Sequence, residues 1–273
     1  MTANSANSLS PAQLAKDHGL VPKKSLGQNF LFDMNITRKI VEYAGDISNT
    51  NIIEIGSGPG GLTIALNEVK PKSLSVIEYD DRAIGVAKEI NEEIAAYNAD
   101  ALKLNLREIA PAPRAVIANL PYNISTKLLT NWLAYAQEFE FMILMFQKEV
   151  ALRLVAEPNT SSYGRLSVIT NYLCEAQILF DVPPEAFTPS PKVTSSIVLL
   201  RPRENPTPSV DIENLSKVTK AAFGQRRKML RSSLRQIFPE TEKTLTALNI
   251  NSQSRAQELS IDEFCKLANH LHE

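Results

Sequence analysis

The stretch that most constrains this chain is Gly56-Ser-Gly58-Pro-Gly60-Gly61. It follows the apolar run Asn51-Ile-Ile-Glu-Ile55 and precedes Leu62-Thr-Ile-Ala-Leu66, which reads as a helix start. Glycines are needed where a turn takes up positive φ and where backbone must come close to a ligand. The pattern Gly-x-Gly-x-x-Gly, here Gly56, Gly58 and Gly61, carries little weight alone. It gains weight in the order strand, loop, helix, which is the order found here.

The surrounding sequence repeats that order. The runs 51–55, 74–78, 94–97, 115–118 and 141–146 have strand length and alternate with helical patterns, which predicts a mostly parallel α/β sheet. Further strands are expected at 176–180 and 195–200, after helices near 150–156 and 165–173. A Pro-rich stretch over 202–208 reads as a linker, and the pattern beyond it is helical, with Ser260-Ile-Asp-Glu263 in the form of a capping box. Glu78 ends the second strand, 22 residues after Gly56, where a carboxylate can accept hydrogen bonds from ribose hydroxyls. The loop and this acid point to a nucleoside-containing cofactor without choosing between NAD and S-adenosylmethionine. Asp100, after the third strand, suits either an adenine amine or the N-cap of a helix.

Asn119-Leu120-Pro121-Tyr122 stands at the end of the fourth strand, and open α/β sheets bind ligands beyond the carboxyl ends of their strands. An amine conjugated to an aromatic ring is a poor nucleophile because its lone pair is delocalised. The Asn119 amide oxygen and the Leu120 carbonyl, held by Pro121, could accept its protons and favour a pyramidal nitrogen. Tyr122 could stack on the base and hold it in line. This combines orientation with stabilisation of the positive charge that develops on nitrogen during methyl transfer. Hydride chemistry gives no reason for this tetrapeptide, and the three histidines, His18, His270 and His272, lie near the termini.

Cys174 and Cys265 are 91 residues apart and form neither a Cys-x-x-Cys pair nor a zinc spacing. No apolar run approaches the roughly 18 residues of a membrane span, and the first twenty residues lack a signal-peptide core. A reduced cytoplasmic protein with a flexible tail over 1–20, no membrane and no metal is expected.

Several motifs in one order resemble the ribosomal small-subunit RNA adenine dimethyltransferase family. They are Ser25-Leu-Gly-Gln-Asn-Phe-Leu31, Glu54-Ile-Gly-Ser-Gly-Pro-Gly-Gly-Leu-Thr63, Val76-Ile-Glu-Tyr-Asp80 and Asp100-Ala-Leu102, followed by Asn119-Leu-Pro-Tyr-Asn-Ile-Ser-Thr126 and Gln147-Lys-Glu-Val-Ala151. Phe187-Thr-Pro-Ser-Pro-Lys-Val-Thr-Ser195 and Phe223-Gly-Gln-Arg-Arg-Lys228 complete the series. Ser57 departs from the proline common at its position. The resemblance implies a Rossmann-like class I S-adenosylmethionine-dependent methyltransferase domain over 21–203 with a small helical C-terminal RNA-recognition domain over 209–273. It implies that Asn29 and Leu31 cover S-adenosylmethionine, that Gly56 and Gly58 lie under it, and that Glu78 binds its ribose and Asp100 its adenine amine. Asn119 would lie between cofactor and target, with Leu120, Tyr122 and Phe187 completing the clamp on the base. Read alone, Phe187 is better explained as a core plug, and the resemblance reverses that weighting.

The net charge of -1 conceals an asymmetry. Residues 45–118 carry a net charge of -4, whereas Lys217, Lys220, Arg226, Arg227, Lys228, Arg231 and Arg235 fall in 217–235 without an acid. On one continuous helix Arg227, Arg231 and Arg235 would share a face, with Leu230, Leu234 and Ile237 marking a separate apolar stripe. For an enzyme whose target base sits in RNA, such a face tracks phosphates, with Arg226, Arg227, Lys228 and Arg231 as the main contacts and Lys23 and Lys24 extending them. By resemblance the partner is small-subunit rRNA within a pre-ribosomal particle, the target two adjacent adenosines in its 3′-terminal hairpin, and the enzyme a monomer. The competing readings are a large-subunit rRNA adenine methyltransferase conferring antibiotic resistance and a non-catalytic ribosome assembly factor.

Overall fold

The computed structural model describes residues 9–23 and 26–272. Lys24 and residues 1–8 lie outside the described residues. The chain divides into two compact units, the first made of 1–132, 138–148 and 179–199 and the second of 133–137, 149–178 and 200–273.

The strands are β1 (Phe30–Leu31), β2 (Asn51–Ile55), β3 (Ser73–Glu78), β4 (Ala95–Asn98), β5 (Arg114–Asn119), β6 (Met142–Gln147), β7 (Cys174–Val182), β8 (Phe187–Thr188) and β9 (Ser195–Pro202). Seven of them form one sheet in the order β4-β3-β2-β5-β6-β9-β7, while β1 and β8 pair separately. The pairs β2–β3, β2–β5, β3–β4 and β5–β6 are parallel. The strand order therefore reverses at β2, with β3 on one side and β5 on the other. Strand β2 is buried along its whole length and β5 and β6 nearly so. Strands covered on both faces read as continuous apolar runs, which is why they stand out in the sequence.

The first unit carries the helices α1 (Pro11–Asp17), α2 (Met34–Glu42), α3 (Gly61–Glu68), α4 (Asp81–Ile90), α5 (Leu106–Ile109) and most of α6 (Tyr122–Leu133). Asp33 and Asp80 cap α2 and α4 by accepting from the backbone N–H groups of Asn35 and Arg82. One core cluster joins Ile52, Ile64, Val76, Val86, Ile117 and Ile143 across the layers.

The expected flexible tail over 1–20 is corrected over part of its length, because 11–17 form α1. Pro11 occupies the first turn, Leu14 is only 2% exposed, and Ala15 and Leu20 are also buried. The segment is tied down at its end as well, where Arg82 donates to the Gly19 carbonyl (2.6 Å) and His18 meets Glu89 (2.6 Å).

The second unit contains α7 (Lys148–Leu154) from its second residue, then α8 (Arg165–Leu173), α9 (Ile212–Gly224), α10 (Leu230–Ser233), α11 (Thr241–Ala247) and α12 (Ile261–Asn269). Its core runs from Tyr163, edge-on to Phe223, to Phe264, stacked on Phe223 at 5.5 Å. This packing explains why the unit extends beyond the expected 209–273, since α8 lies against both α9 and α12. The capping box on α12 forms, with Ser260 and Glu263 each accepting from the other's backbone N–H.

The continuous helix expected through Arg227, Arg231 and Arg235 does not form. Helix α9 ends at Gly224, a turn follows, and α10 is a single helical turn. The cause is long-range: Met229 bridges Arg255, and the N–H groups of Leu230 and Arg231 donate to the carbonyls of Ser254 and Ser252. Those donors are no longer available to a helix running on from α9.

Candidate active site

The reversal of strand order at β2 sets the site, because the segments that leave β2 and β5 diverge there and open a crevice. The glycine loop leaves β2, and Asn119-Leu-Pro-Tyr122 leaves β5. A Cβ atom on Gly56 would stand 3.8 Å from the Asn119 carbonyl oxygen and 3.9 Å from Pro121 Cδ, so the two loops lie against each other. Gly56 itself has φ +77°, a conformation that L side chains rarely adopt. Gly61 is needed for space, since a Cβ there would approach the Leu31 carbonyl oxygen to 2.8 Å.

Between the loops lies a cavity of about 330 Å³, lined among others by Asn29, Leu31, Gly56, Gly58, Glu78, Asp100, Asn119, Leu120 and Tyr122. The residues thus gathered come from segments spread over almost a hundred positions. Asn29 donates to the Gly27 carbonyl (3.4 Å), which folds the 26–29 segment towards the cavity. Glu78 is buried and accepts from three backbone N–H groups, those of Gly58 (3.1 Å), Tyr79 (2.8 Å) and Asp80 (3.0 Å). A carboxylate offers about four acceptor positions, which leaves capacity for a ligand hydroxyl. Burial nevertheless raises its pKa, against the pull of those donors. One oxygen of Asp100 accepts from the Leu102 N–H (3.0 Å), so the capping reading of its position is met, and the residue also lines the cavity.

Besides Glu78 and Asp100 the cavity wall holds a third acidic residue, Glu54. Glu54 is 1% exposed and has one carboxylate oxygen without a hydrogen-bond partner. Burial, reinforced by the Glu78 charge, pushes its pKa up to about 8. An ionisable residue in the middle of Asn51-Ile-Ile-Glu-Ile55 was the available signal. The Ser57 hydroxyl, also in the cavity wall, is likewise buried without a partner.

Phe187 is not brought to this cavity. It is 4% exposed, pairs with Leu31 through β8 and β1, and belongs to the same core cluster as Leu31. In this structure Phe187 packs as a core residue. Lys23 lies 3.2 Å from Asp80, beside Arg82.

The cationic segment lies in the second unit and divides into bound and unbound members. Arg226 donates to the Ser161 carbonyl (2.5 Å), and Arg231 meets Glu242 at 3.6 Å. Arg227 and Lys228 are exposed in the turn between α9 and α10. Among the described residues no cluster of three His, Cys, Asp or Glu side chains could hold a metal ion, and no helix is long and apolar enough to cross a membrane.

A glycine loop at the strand-order reversal, an acid ending the neighbouring strand and an amide at the end of β5 define a methyltransferase of the class I fold. The chain belongs to the ribosomal RNA adenine dimethylase family, which it matches over residues 20–273. It is 50% identical over 260 residues to ribosomal RNA small subunit methyltransferase A of Paramagnetospirillum magneticum, covering 93% of this chain and 92% of that protein. The protein of the same name from Rhodospirillum rubrum is 48% identical, with 92% and 88% covered. Among solved structures, a dimethyladenosine transferase from Plasmodium falciparum superimposes with a TM-score of 0.76 at 26% identity, covering 89% of this chain and 97% of that one. The 23S rRNA methyltransferase ErmE gives 0.68, also at 26% identity, with 90% and 100% covered.

Proposed function

We propose that the protein transfers methyl groups from S-adenosylmethionine to the N6 atoms of two adjacent adenosines in the 3′-terminal hairpin of small-subunit rRNA, two to each, within a pre-ribosomal particle. The observation that carries this reading is the meeting of the glycine loop, Glu78, Asp100 and Asn119–Tyr122 around one cavity. The relatives named as small-subunit methyltransferases support the choice of subunit.

The residues fit the cofactor. Glu78 retains an acceptor for a ribose hydroxyl, Asp100 presents a carboxylate suited to an adenine amine, and Glu54 and Ser57 offer buried polar atoms without partners. Asn29 and Leu31 contribute to the wall, and Gly56 and Gly58 let backbone come close. When bound, S-adenosylmethionine supplies an electrophilic methyl group on a sulfonium sulfur.

The chain's own part is to make the target nitrogen nucleophilic and to hold it in line. The Asn119 amide oxygen and the Leu120 carbonyl accept the amine protons, which draws the lone pair out of conjugation and stabilises the positive charge that grows on nitrogen. Leu120 acts through its backbone, because its side chain is buried. The Tyr122 ring, half-buried at the cavity, stacks on the base. A base inside a helix cannot reach such a site, so the adenosine enters unpaired or splayed out. The exposed cations of the second unit, Arg227 and Lys228 first, track RNA phosphates together with Arg226 and Arg231.

The test is transfer of labelled methyl from S-adenosylmethionine to small subunits lacking the modification, followed by mapping of the modified nucleotides. Label on the two hairpin adenosines is expected. Label on large-subunit rRNA alone, or binding of the particles without transfer by intact protein, would overturn the reading.

A further inference from the structure

Two motifs remain without a role in the chemistry just described, Gln147-Lys-Glu and the end of Phe187-Thr-Pro-Ser-Pro-Lys-Val-Thr-Ser195. The structure brings both to one place beside Tyr122. The Ser195 hydroxyl lies 2.5 Å from the Tyr122 hydroxyl, and Ser195 is 0% exposed. Ser196, next along β9, donates to one oxygen of Asp181 (2.6 Å), while Lys148 donates to the other (2.6 Å). The Lys148 backbone N–H donates in turn to the Thr194 carbonyl (2.9 Å). The start of β9 is thus held on both sides of Ser195, through Thr194 and through Ser196.

We propose that Ser195 is a positioning residue for methyl transfer, which fixes the Tyr122 ring through its hydroxyl and is itself held by the Lys148–Asp181–Ser196 clamp. A tyrosine that only stacks needs its ring and not its hydroxyl. Here the hydroxyl has been given a buried partner on a strand 73 residues away. The ring follows the backbone turn at 119–122 at one end and is anchored at the other, so its plane is set by two points. The Tyr122 carbonyl also accepts from the Ser125 hydroxyl (3.2 Å), which steadies the backbone end. A reacting nitrogen must lie within a narrow range of distance and angle from the methyl donor, and small displacements of the base cost rate steeply. Fixing the stacking platform before the base arrives is therefore worth more to turnover than to affinity.

The proposal rests on the stacking role given to Tyr122, and the experiment separates the two. Methyl transfer to unmethylated small subunits is measured for the wild type, Tyr122→Ala, Tyr122→Phe, Ser195→Ala and the Tyr122→Phe/Ser195→Ala double variant, with the cofactor Kd and the Tm of each. Tyr122→Ala tests the stacking role, and wild-type turnover by that variant would remove Tyr122 from the site and overturn both readings. If turnover is lost in Tyr122→Ala, positioning predicts a fall in kcat of about tenfold for Tyr122→Phe and for Ser195→Ala, the size of one buried hydrogen bond. The double variant is expected to be no slower than the slower single one, with the cofactor Kd within about twofold of wild type. Wild-type kcat in Tyr122→Phe and Ser195→Ala overturns the positioning role and leaves stacking intact. Losses that multiply in the double variant overturn it too, because Ser195 would then act through something other than the Tyr122 hydroxyl. Should Ser195→Ala not fold, Tyr122→Phe removes the same bond from the other side, and full turnover by it is decisive against the proposal.

Discussion

Asn119 and Glu54 stand on adjacent strands at one cavity and do different work. In the proposed mechanism Asn119 acts on charge that exists only during transfer, so its loss is expected to fall on turnover rather than on RNA binding. Asn119→Ala is expected to lower kcat by about 100-fold or more, the scale seen when one preorganised hydrogen-bonding group is removed from a reacting centre. Particle binding should hold, and single-turnover kinetics beside a binding titration will check both. Glu54 acts on the ligand-free protein. Its folded-state pKa, about 8, lies above the value of about 4.3 for glutamate in an unfolded chain. Its contribution to stability is therefore complete below that lower value and is lost as pH rises through about 8. Glu54→Gln keeps the neutral form at every pH, so its Tm without cofactor should fall less than that of the wild type between about pH 5 and pH 9. Parallel Tm profiles for the two proteins would show that Glu54 ionises near its ordinary value.

At the level of elements, α1 and the turn between α9 and α10 show how neighbours decide local structure. Leu14 is buried in the core cluster of the first unit, so α1 is docked. Leu14→Ala should cost about 2 kcal/mol or more in denaturant unfolding, as large-to-small core changes do. In the α9–α10 turn, Arg227 is exposed while Arg231 meets Glu242. Arg227→Ala should therefore weaken particle binding more than Arg231→Ala. It should also reduce the slope of log K against log salt by about 0.7–0.9, the share of one phosphate contact. A salt series with both variants reads this directly, and identical slopes would mean that the turn is merely solvated. These two elements were also the ones that local pattern misjudged. The polar composition around α1 suggests a tail, and the basic residues 226–235 fit a helical wheel. What overrides both is contact with distant chain, the first unit's core in one case and residues 252–255 in the other.

For the molecule as a whole, the cavity proposed to hold the cofactor belongs to the first unit and the cationic segment to the second. Ligand that binds only the folded protein stabilises it by mass action, by about 2.7 kcal/mol at a hundred times Kd. A Tm rise of about 5–10 °C is expected with S-adenosylmethionine at that level. Glu78→Ala should reduce it strongly at the same concentration, and thermal melts with and without cofactor will show whether it does. The division itself was legible only in outline. The Pro-rich stretch at 202–208 marked a change of pattern, but α8 precedes it in sequence and still packs with α9 and α12. Contiguity along the chain does not decide which core an apolar face joins.

The parallel strands, the glycine loop and the positions of Glu78, Asp100 and Asn119–Tyr122 after their strands can be read along the chain. Those features are local: strands buried on both faces appear as apolar runs, and ligand loops follow their carboxyl ends. Packing shows where Phe187 lies in the core, that Glu54 is a buried acid in the cavity wall, and that Ser195 reaches Tyr122. Each of these depends on the direction of a side chain across strands far apart in sequence, and that direction is set by pairing and packing rather than by neighbours along the chain.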